Sequence, residues 1–114
     1  MGVPAAGTVV VIPFPSSDLS RSKLRPAVVL AAADRDDLIL CQVTSNPYSD
    51  DSAIPLAVAD FQSGSLQRTS NARPSKLFTA NAALISDEIG VLRDAAREAI
   101  IDAVVAILRG HVDA

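Results

Sequence analysis

Residues 8–32 read TVVVIPFPSSDLSRSKLRPAVVLAA, and this stretch contains two apolar runs separated by a polar segment. The first run, Thr8 to Phe14, is rich in β-branched residues and predicts a buried strand that the neighbouring prolines bring to an end. The second run, Pro26 to Ala32, predicts another strand, because proline is tolerated as the first residue of a strand. The residues from Ser16 to Lys23 are expected to form a polar loop between the two strands.

The middle of the chain predicts further short strands separated by turn residues. In chain order we expect a turn at Asp34 to Asp37, a strand from Leu38 to Thr44, a break at Ser45 to Pro47, a strand from Ala53 to Val58, a turn at Ser63 to Ser65, and short strands at Leu66 to Thr69 and Lys76 to Ala80, with Arg73 and Pro74 between the last two.

The end of the chain changes from strand periodicity to helix periodicity. Apolar residues at helical spacing form one stripe: Ala96, Ile100, Ala103, Val104, Ile107 and Leu108. Asp94 favours the first turn of this helix, Arg109 favours the last, and Gly110 is positioned to cap its C-terminal end. Strands first and a helix last indicate one small α+β domain, residues 1–114, with a strongly bent sheet or barrel.

The composition argues against several kinds of site and cofactor. Hydrophobic residues make up 49% of the chain, which is enough for a core without disulfides or metals. Cys41 is the one cysteine and His111 the one histidine, so we expect no disulfide, no metal site and no cofactor. No apolar run has the features of a signal peptide or the length of a membrane span. The expectation is a cytoplasmic protein without a membrane partner.

The charge balance gives two opposing indications. The net charge is −3 and the pI about 4.9, which taken alone argues against a nucleic-acid partner. Six of the ten basic residues nevertheless lie in two windows without acidic residues, 19–33 and 61–86. A fold that joins these windows would form a local positive groove on an acidic body. Chance clustering on a solvated face explains the same pattern.

Two polar residues, Arg25 and Thr44, are expected at the rim of the predicted sheet. Along residues 38–44, alternation places Cys41 on one face as a small buried residue and Thr44 on the other, at the strand's end. Arg25 directly precedes a buried strand and is extended because Pro26 follows it. Both have ordinary structural explanations, since Thr44 can form a turn and Arg25 can be a solvated arginine. No nucleotide-binding or hydrolase motif is present, and we expect His111 to lie in a tail after the helix.

Three parts of the chain, taken in order, resemble the MazF/PemK family of toxins. The first comprises residues 7–14 and 23–30 (GTVVVIPF and KLRPAVVL) and the second residues 40–46 (LCQVTSN). The third comprises residues 70–79 and 89–92 (SNARPSKLFT and IGVL), followed by the apolar helix. The similarity extends from about Gly7 to Leu108, and it is the order and spacing of these segments that carry it.

The resemblance implies a small bent antiparallel β-barrel of SH3-like, CcdB/PemK-like type with a C-terminal α-helix. It also implies a homodimer, a cognate antitoxin as protein partner, and metal-independent cleavage of single-stranded RNA. The family's reactive arginine and its threonine or serine map to Arg25 and Thr44. Residues expected to bind the RNA are Lys23, Ser45, Asn46, Ser70, Arg73 and Lys76.

Two other functions remain open at this point. A gyrase-poisoning toxin of the CcdB kind would share the fold class but would bind a protein and would not need Arg25 together with Thr44. An inactive member of the fold would bind RNA or the antitoxin and would not cleave RNA. The small number of aromatic residues, three Phe, one Tyr and no Trp, also leaves few platforms on which RNA bases could stack.

Overall fold

The computed structural model describes residues 3–15, 22–46 and 50–110. The bounds of its strands and its helix are β1 (Thr8–Pro15), β2 (Ser22–Ala32), β3 (Asp37–Thr44), β4 (Ile54–Leu56), β5 (Phe61–Gly64), β6 (Ser70–Asn81), β7 (Asp87–Leu92) and α1 (Asp94–Leu108). Short 3-10 turns occupy Asp34–Asp36, Val58–Asp60 and Ala82–Leu84.

The seven strands form one antiparallel sheet in the order β4-β6-β3-β2-β1-β7-β5. The sheet curls into a half-barrel whose end strands, β4 and β5, do not pair with each other in this order. The predicted fold class, α+β with a bent antiparallel barrel-like sheet and a C-terminal helix, is confirmed. The described residues contain no helix with the length and hydropathy that crossing a membrane requires.

Alternation along the long strands divides the buried residues into two hydrophobic cores. Val9 and Val28 belong to the helix-side core, which also contains Cys41, Val43, Leu56, Phe61, Leu92 and two residues of α1, Ile100 and Val104. Their neighbours Val10 and Ala27 belong to the second core, on the other face of the same strands, together with Ile12, Val29, Leu38 and Leu40. Successive side chains of a strand point to opposite faces, so β1, β2 and β3 are buried on both sides.

The C-terminal helix packs through the apolar stripe that its periodicity predicted. Ile100 and Val104 are buried against the sheet, and Ala96 and Ile101 pack beside them. The chain leaves the helix through Gly110, whose φ of +73° is a conformation that favours glycine. Leu108, predicted to share the stripe, is 75% exposed.

Two predicted boundaries are wrong because proline was given too much weight. β2 begins at Ser22 and not at Pro26, so Lys23 belongs to a strand and not to the loop, of which residues 16–21 lie outside the described part. The break predicted at Arg73 and Pro74 lies inside β6. The β3–β6 register shifts at this point, and such a bulge accommodates a residue that cannot donate to the ladder.

Predictions around the glycine at position 64 are also wrong. Ser63 and Gly64 belong to β5 and pair with β7, where a turn was expected. A Cβ at Gly64 would run into the Ile89 carbonyl oxygen, so this glycine, the last residue of β5, permits close contact between β5 and β7. The strand predicted at 66–69 is irregular, and the one predicted at 53–58 is shortened to β4. Periodicity also did not identify β7.

Candidate functional site

A cleft of about 530 Å³ opens beside the start of β2 and the end of β3. One wall is formed by Arg25 and Pro26 of β2 together with Val43 and Thr44 of β3. The facing walls come from the connection between β5 and β6 and from the start of β7. Val43 also belongs to the helix-side core. The cleft therefore forms the polar end of a rigid apolar core, which is a common arrangement for binding sites.

The β2–β3 pairing brings Arg25 and Thr44 into this cleft. The last paired residues at this end are Ala27 and Gln42. Arg25 lies two residues before Ala27, and Thr44 lies two residues after Gln42. Because the strands are antiparallel, both steps lead toward the same end of the sheet. Two residues that are 19 positions apart in the chain thus line one cavity.

The hydroxyl of Thr44 is held by the turn that follows its strand. Thr44 Oγ1 accepts a hydrogen bond from the Asn46 backbone N–H at 3.1 Å and donates to the Asn46 carbonyl oxygen at 3.0 Å. The structural explanation of Thr44 as a turn residue is therefore correct, and it is compatible with a place in the cleft. A hydroxyl oxygen has two acceptor positions, so one remains for a ligand.

The cleft carries both signs of charge. Arg25 and Arg68 are exposed cations in its walls, and Asp87 and Glu88 of β7 are exposed carboxylates. Within residues 3–15, 22–46 and 50–110, neither arginine forms an ion pair. Asp87 Oδ1 accepts from the backbone N–H of Glu88 at 2.9 Å. An anionic ligand would therefore be attracted to the arginine walls and repelled from β7.

The predicted RNA-binding residues separate into two groups. Ser45 and Ser70 line the cleft with Arg25 and Thr44. Ser70 is buried, and its hydroxyl donates to the carbonyl oxygen of Arg68 at 3.0 Å. The others do not line the cleft: Lys23, Asn46, Arg73 and Lys76.

Arg73 is engaged by an aspartate. Its Nε donates to Asp50 Oδ2 at 2.7 Å, and the two side chains are only 18% and 9% exposed. The Ser52 hydroxyl donates to Asp50 Oδ1 at 2.7 Å. Hydrogen bonds from Ser52 and from Arg73 lower the pKa of the Asp50 carboxyl below its usual value. The ion pair joins β6 to the segment that follows β3.

Cys41 is a buried core residue, as the alternation predicted. Its Sγ donates to the Arg73 carbonyl oxygen at 3.2 Å. Burial raises the pKa of the Cys41 thiol to about 12, so at neutral pH it is protonated and a poor nucleophile. His111 lies outside the described residues. Within those residues, no group of three or more His, Cys, Asp or Glu side chains is arranged to hold a metal ion.

Sequence reasoning did not identify five polar residues of the cleft as site residues: Ser65, Gln67, Arg68, Asp87 and Glu88. The acid-free window 61–86 contains Arg68, so charge distribution was the signal that could have identified it. No local pattern distinguishes Asp87 and Glu88 from solvated acids, because β7 was not recognised as a strand.

Comparison with known proteins gives a family and a set of similar folds. The profile of the PemK-like, MazF-like toxins of type II toxin–antitoxin systems matches residues 5–108. No individual curated protein matches the chain by sequence.

Three solved structures illustrate the likeness of fold. A MazF structure from Deinococcus radiodurans matches with a TM-score of 0.75 and 17% identity, covering 96% of this chain and 99% of the other. An endoribonuclease from a mycobacterial species matches at 0.71 and 16%, covering 96% and 94%. A mycobacterial endoribonuclease in complex with its cognate antitoxin matches at 0.65 and 14%, covering 96% of both chains.

Proposed function

Because the chain belongs to the PemK-like, MazF-like toxins of type II toxin–antitoxin systems, we propose that it is a metal-independent endoribonuclease. Its substrate is single-stranded RNA, with messenger RNA in the cytoplasm as the target. The observation that carries the proposal is the cleft shared by Arg25 and Thr44. The match to a mycobacterial structure named as an endoribonuclease supports it.

The reaction is an internal transfer at phosphorus. The ribose 2′-oxygen loses its proton and forms a bond to the adjacent phosphorus, while the bond from phosphorus to the 5′-oxygen breaks. The products are a 2′,3′-cyclic phosphate and a 5′-hydroxyl, whose oxygen takes up a proton. The transition state concentrates negative charge on the phosphoryl oxygens, so the main requirement is a fixed cation beside them.

Arg25 supplies that cation. A guanidinium presents paired N–H donors that fit phosphoryl oxygens, and it does not lose its proton in proteins. Arg25 therefore acts through charge and hydrogen bonding, and it is suited to donating toward the leaving 5′-oxygen. Removing one preorganised donor of this kind typically costs about 10²–10³-fold in rate.

Thr44 orients the reacting groups. Its hydroxyl is fixed by the Asn46 backbone, so its remaining acceptor position can hold the ribose 2′-hydroxyl without a further loss of side-chain freedom. To bind a phosphoryl oxygen, the Thr44 O–H would have to leave the Asn46 carbonyl oxygen and donate to the phosphate. Ser45 and Ser70 add polar contacts inside the cleft. Lys23 and Lys76 are exposed on β2 and β6, where they can hold the RNA backbone outside the cleft. Arg73 acts through its ion pair with Asp50.

The partners of the proposed enzyme are a second copy of the chain and a cognate antitoxin. An antitoxin that inhibits cleavage must shield Arg25, and an extended acidic or apolar segment laid over the cleft would do so. The mycobacterial complex with its cognate antitoxin supports a protein partner of this kind.

The proposal is tested by cleavage of a long single-stranded RNA in EDTA, with mapping of both product ends. Wild type and Arg35→Ala should cut and leave 5′-hydroxyl ends, whereas Arg25→Ala should be about 10²–10³-fold slower. Arg35 is an exposed arginine in the turn before β3, outside the cleft, so it controls for the loss of charge. Absence of cleavage by folded, antitoxin-free wild type across diverse RNAs would refute the proposal and favour a gyrase poison or an inactive binder.

A further inference from the structure

A second cavity adjoins the cleft across a short ridge. It has a volume of about 260 Å³ and is lined by residues 55–58, Phe61 and residues 66–69. Leu66, Gln67 and Arg68 line both this cavity and the cleft. We call these three residues the ridge. It separates the two cavities and forms a wall of each.

The ridge is held in place by the helix-side core and by a hydrogen bond from Ser70. Leu66 is half-buried and packs against the helix-side core. The buried Ser70 hydroxyl donates to the carbonyl oxygen of Arg68 at 3.0 Å. The side chains of Gln67 and Arg68 remain exposed, and among the described residues Arg68 has no ion-pair partner. The ridge therefore presents an exposed cation, unpaired among the described residues, from a fixed backbone.

The second cavity is apolar where the cleft is charged. Leu56 and Phe61 form buried walls, with exposed fractions of 3% and 5%, and Val58 stands at the rim, 73% exposed. The nearby Asp60 carboxylate is occupied, since its Oδ2 accepts from the Ala57 N–H at 2.7 Å. The apolar walls suit contact with the flat face of a nucleobase, which packs on apolar surface without regard to base identity.

Charge decides on which side an RNA strand leaves the cleft. Asp87 and Glu88 line the β7 side, and Glu88 also lines the cavity beyond that side together with Asp36. Phosphates are repelled there and attracted by Arg68 on the ridge. A cation followed by an apolar cavity also matches the alternation of phosphate and base along a single strand.

We propose that RNA bound in the cleft crosses the ridge, with one phosphate at Arg68 and the next base in the second cavity. The inference rests on the proposed function in taking RNA as the ligand, and it adds a nucleotide subsite outside the Arg25 and Thr44 cleft. The subsite extends the bound length of the strand and favours no particular base.

The test measures binding without cleavage, by fluorescence anisotropy with 2′-O-methyl RNA oligonucleotides of increasing length at several salt concentrations. For wild type, affinity should rise at least about fivefold at the length that reaches the second cavity, the increment expected of one stacked base. Val58→Asp should remove this rise and leave the shorter oligonucleotides unaffected. Arg68→Ala should lower affinity and reduce the salt slope by about 0.7, the value for one phosphate of a single strand.

Matched controls separate these effects from general ones. Leu84→Asp adds the same charge at an exposed position that lines neither cavity, and Arg35→Ala removes the same charge outside both. Neither should alter the length dependence. Circular dichroism melts check that every variant folds.

Several outcomes would overturn the inference. One is that the affinity of wild type does not rise with oligonucleotide length, and another is that Val58→Asp lowers the affinity equally at all lengths. A third such outcome is that Val58→Asp weakens antitoxin binding and leaves RNA binding unchanged. The length-dependent rise without any RNA cleavage would refute the proposed enzyme and leave the subsite standing. Cleavage of RNA by wild type without the length-dependent rise would support the proposed enzyme and refute the subsite.

Discussion

The guanidinium Nε of Arg73 lies 2.7 Å from Oδ2 of Asp50, and this ion pair joins the middle of β6 to the segment that follows β3. The same stretch of β6 accepts a hydrogen bond from the buried Cys41 thiol through the Arg73 carbonyl oxygen. The chain leaving Thr44 is thus attached to the sheet a few residues beyond the cleft. An arginine expected to bind RNA is thus paired with an aspartate.

Stability should depend on the ionisation of Asp50. The folded-state pKa of this carboxyl lies below its reference value of 3.8, so its contribution is complete above about pH 4 and is lost as the pH falls through the folded-state pKa. Asp50→Asn should therefore lower the free energy of unfolding by about 1–3 kcal/mol at pH 7. Urea unfolding of wild type and variant from pH 7 downward measures the difference, which should shrink on acidification.

The neighbouring Asp51 provides the control for this experiment. Asp51→Asn removes the same charge from an exposed side chain and should change stability by less than about 0.5 kcal/mol. A cost for Asp50→Asn that stays constant down to pH 2 would show that the carboxylate charge is not what stabilises the fold.

The Cys41 thiol should react only when the protein unfolds. The side chain is fully buried and burial raises the pKa of the thiol to about 12, whereas the thiolate is the reactive form. Absorbance with a disulfide reagent at pH 8 should show almost no modification of native protein and rapid modification in denaturant. Stoichiometric labelling of the native protein within seconds would contradict the buried position of Cys41.

Gly64 and Gly110 allow steric contact to be separated from backbone strain. Both have positive φ, +68° and +73°, so Ala at either position carries a similar conformational cost of about 1 kcal/mol. At Gly64 the added Cβ would meet the backbone of Ile89 and Gly90, whereas at Gly110 no described residue lies within 4 Å. Gly64→Ala should lower stability by about 1–3 kcal/mol more than Gly110→Ala, as measured by urea unfolding. Equal costs would argue against the close contact of β5 with β7.

The proposed homodimer should depend on the end of the helix. Leu108 is 75% exposed and Val105 40% exposed on the same helix, which leaves apolar surface for a second copy. Leu108→Asp should shift the protein toward monomer in light scattering after size exclusion, without loss of helix content. Ile101→Asp is a poorer choice, because Ile101 packs against the helix-side core. The exposed Leu84→Asp is the control, and an unchanged dimer in Leu108→Asp would place the interface elsewhere.

The sequence was informative about the fold where local pattern and tertiary position agree. β1, β3 and α1 were located because their apolar periodicity reflects the cores against which they pack. Errors arose where a residue type usually marks a turn or a strand end but here meets a requirement of the tertiary structure. Pro74 is accommodated at a register shift inside β6, and Gly64 permits contact between strands. Neither requirement can be read from neighbouring residues.

The site was predictable only in part for a related reason. Arg25 and Thr44 could be singled out separately because each lies beside a recognisable strand, and the strand pairing then brings them together. Arg68 lies in an irregular segment whose position depends on β5, β6 and the buried Ser70. Asp87 and Glu88 reach the cleft through β7, which lacks a clear strand pattern. Residues of this kind can be assigned to the cleft only when the topology of the whole sheet is known.

A double-mutant cycle tests whether Arg25 and Thr44 act on one phosphate in one cleft. Single-turnover cleavage of one RNA in EDTA would be measured for wild type, Arg25→Ala, Thr44→Val and the double variant, with Thr44→Ser retaining the hydroxyl. We expect a large loss of cleavage rate for each single variant, little loss for Thr44→Ser, and a double variant much less impaired than the product of the two losses. Fully multiplicative losses, or a single variant as active as wild type, would show that the two residues do not act together.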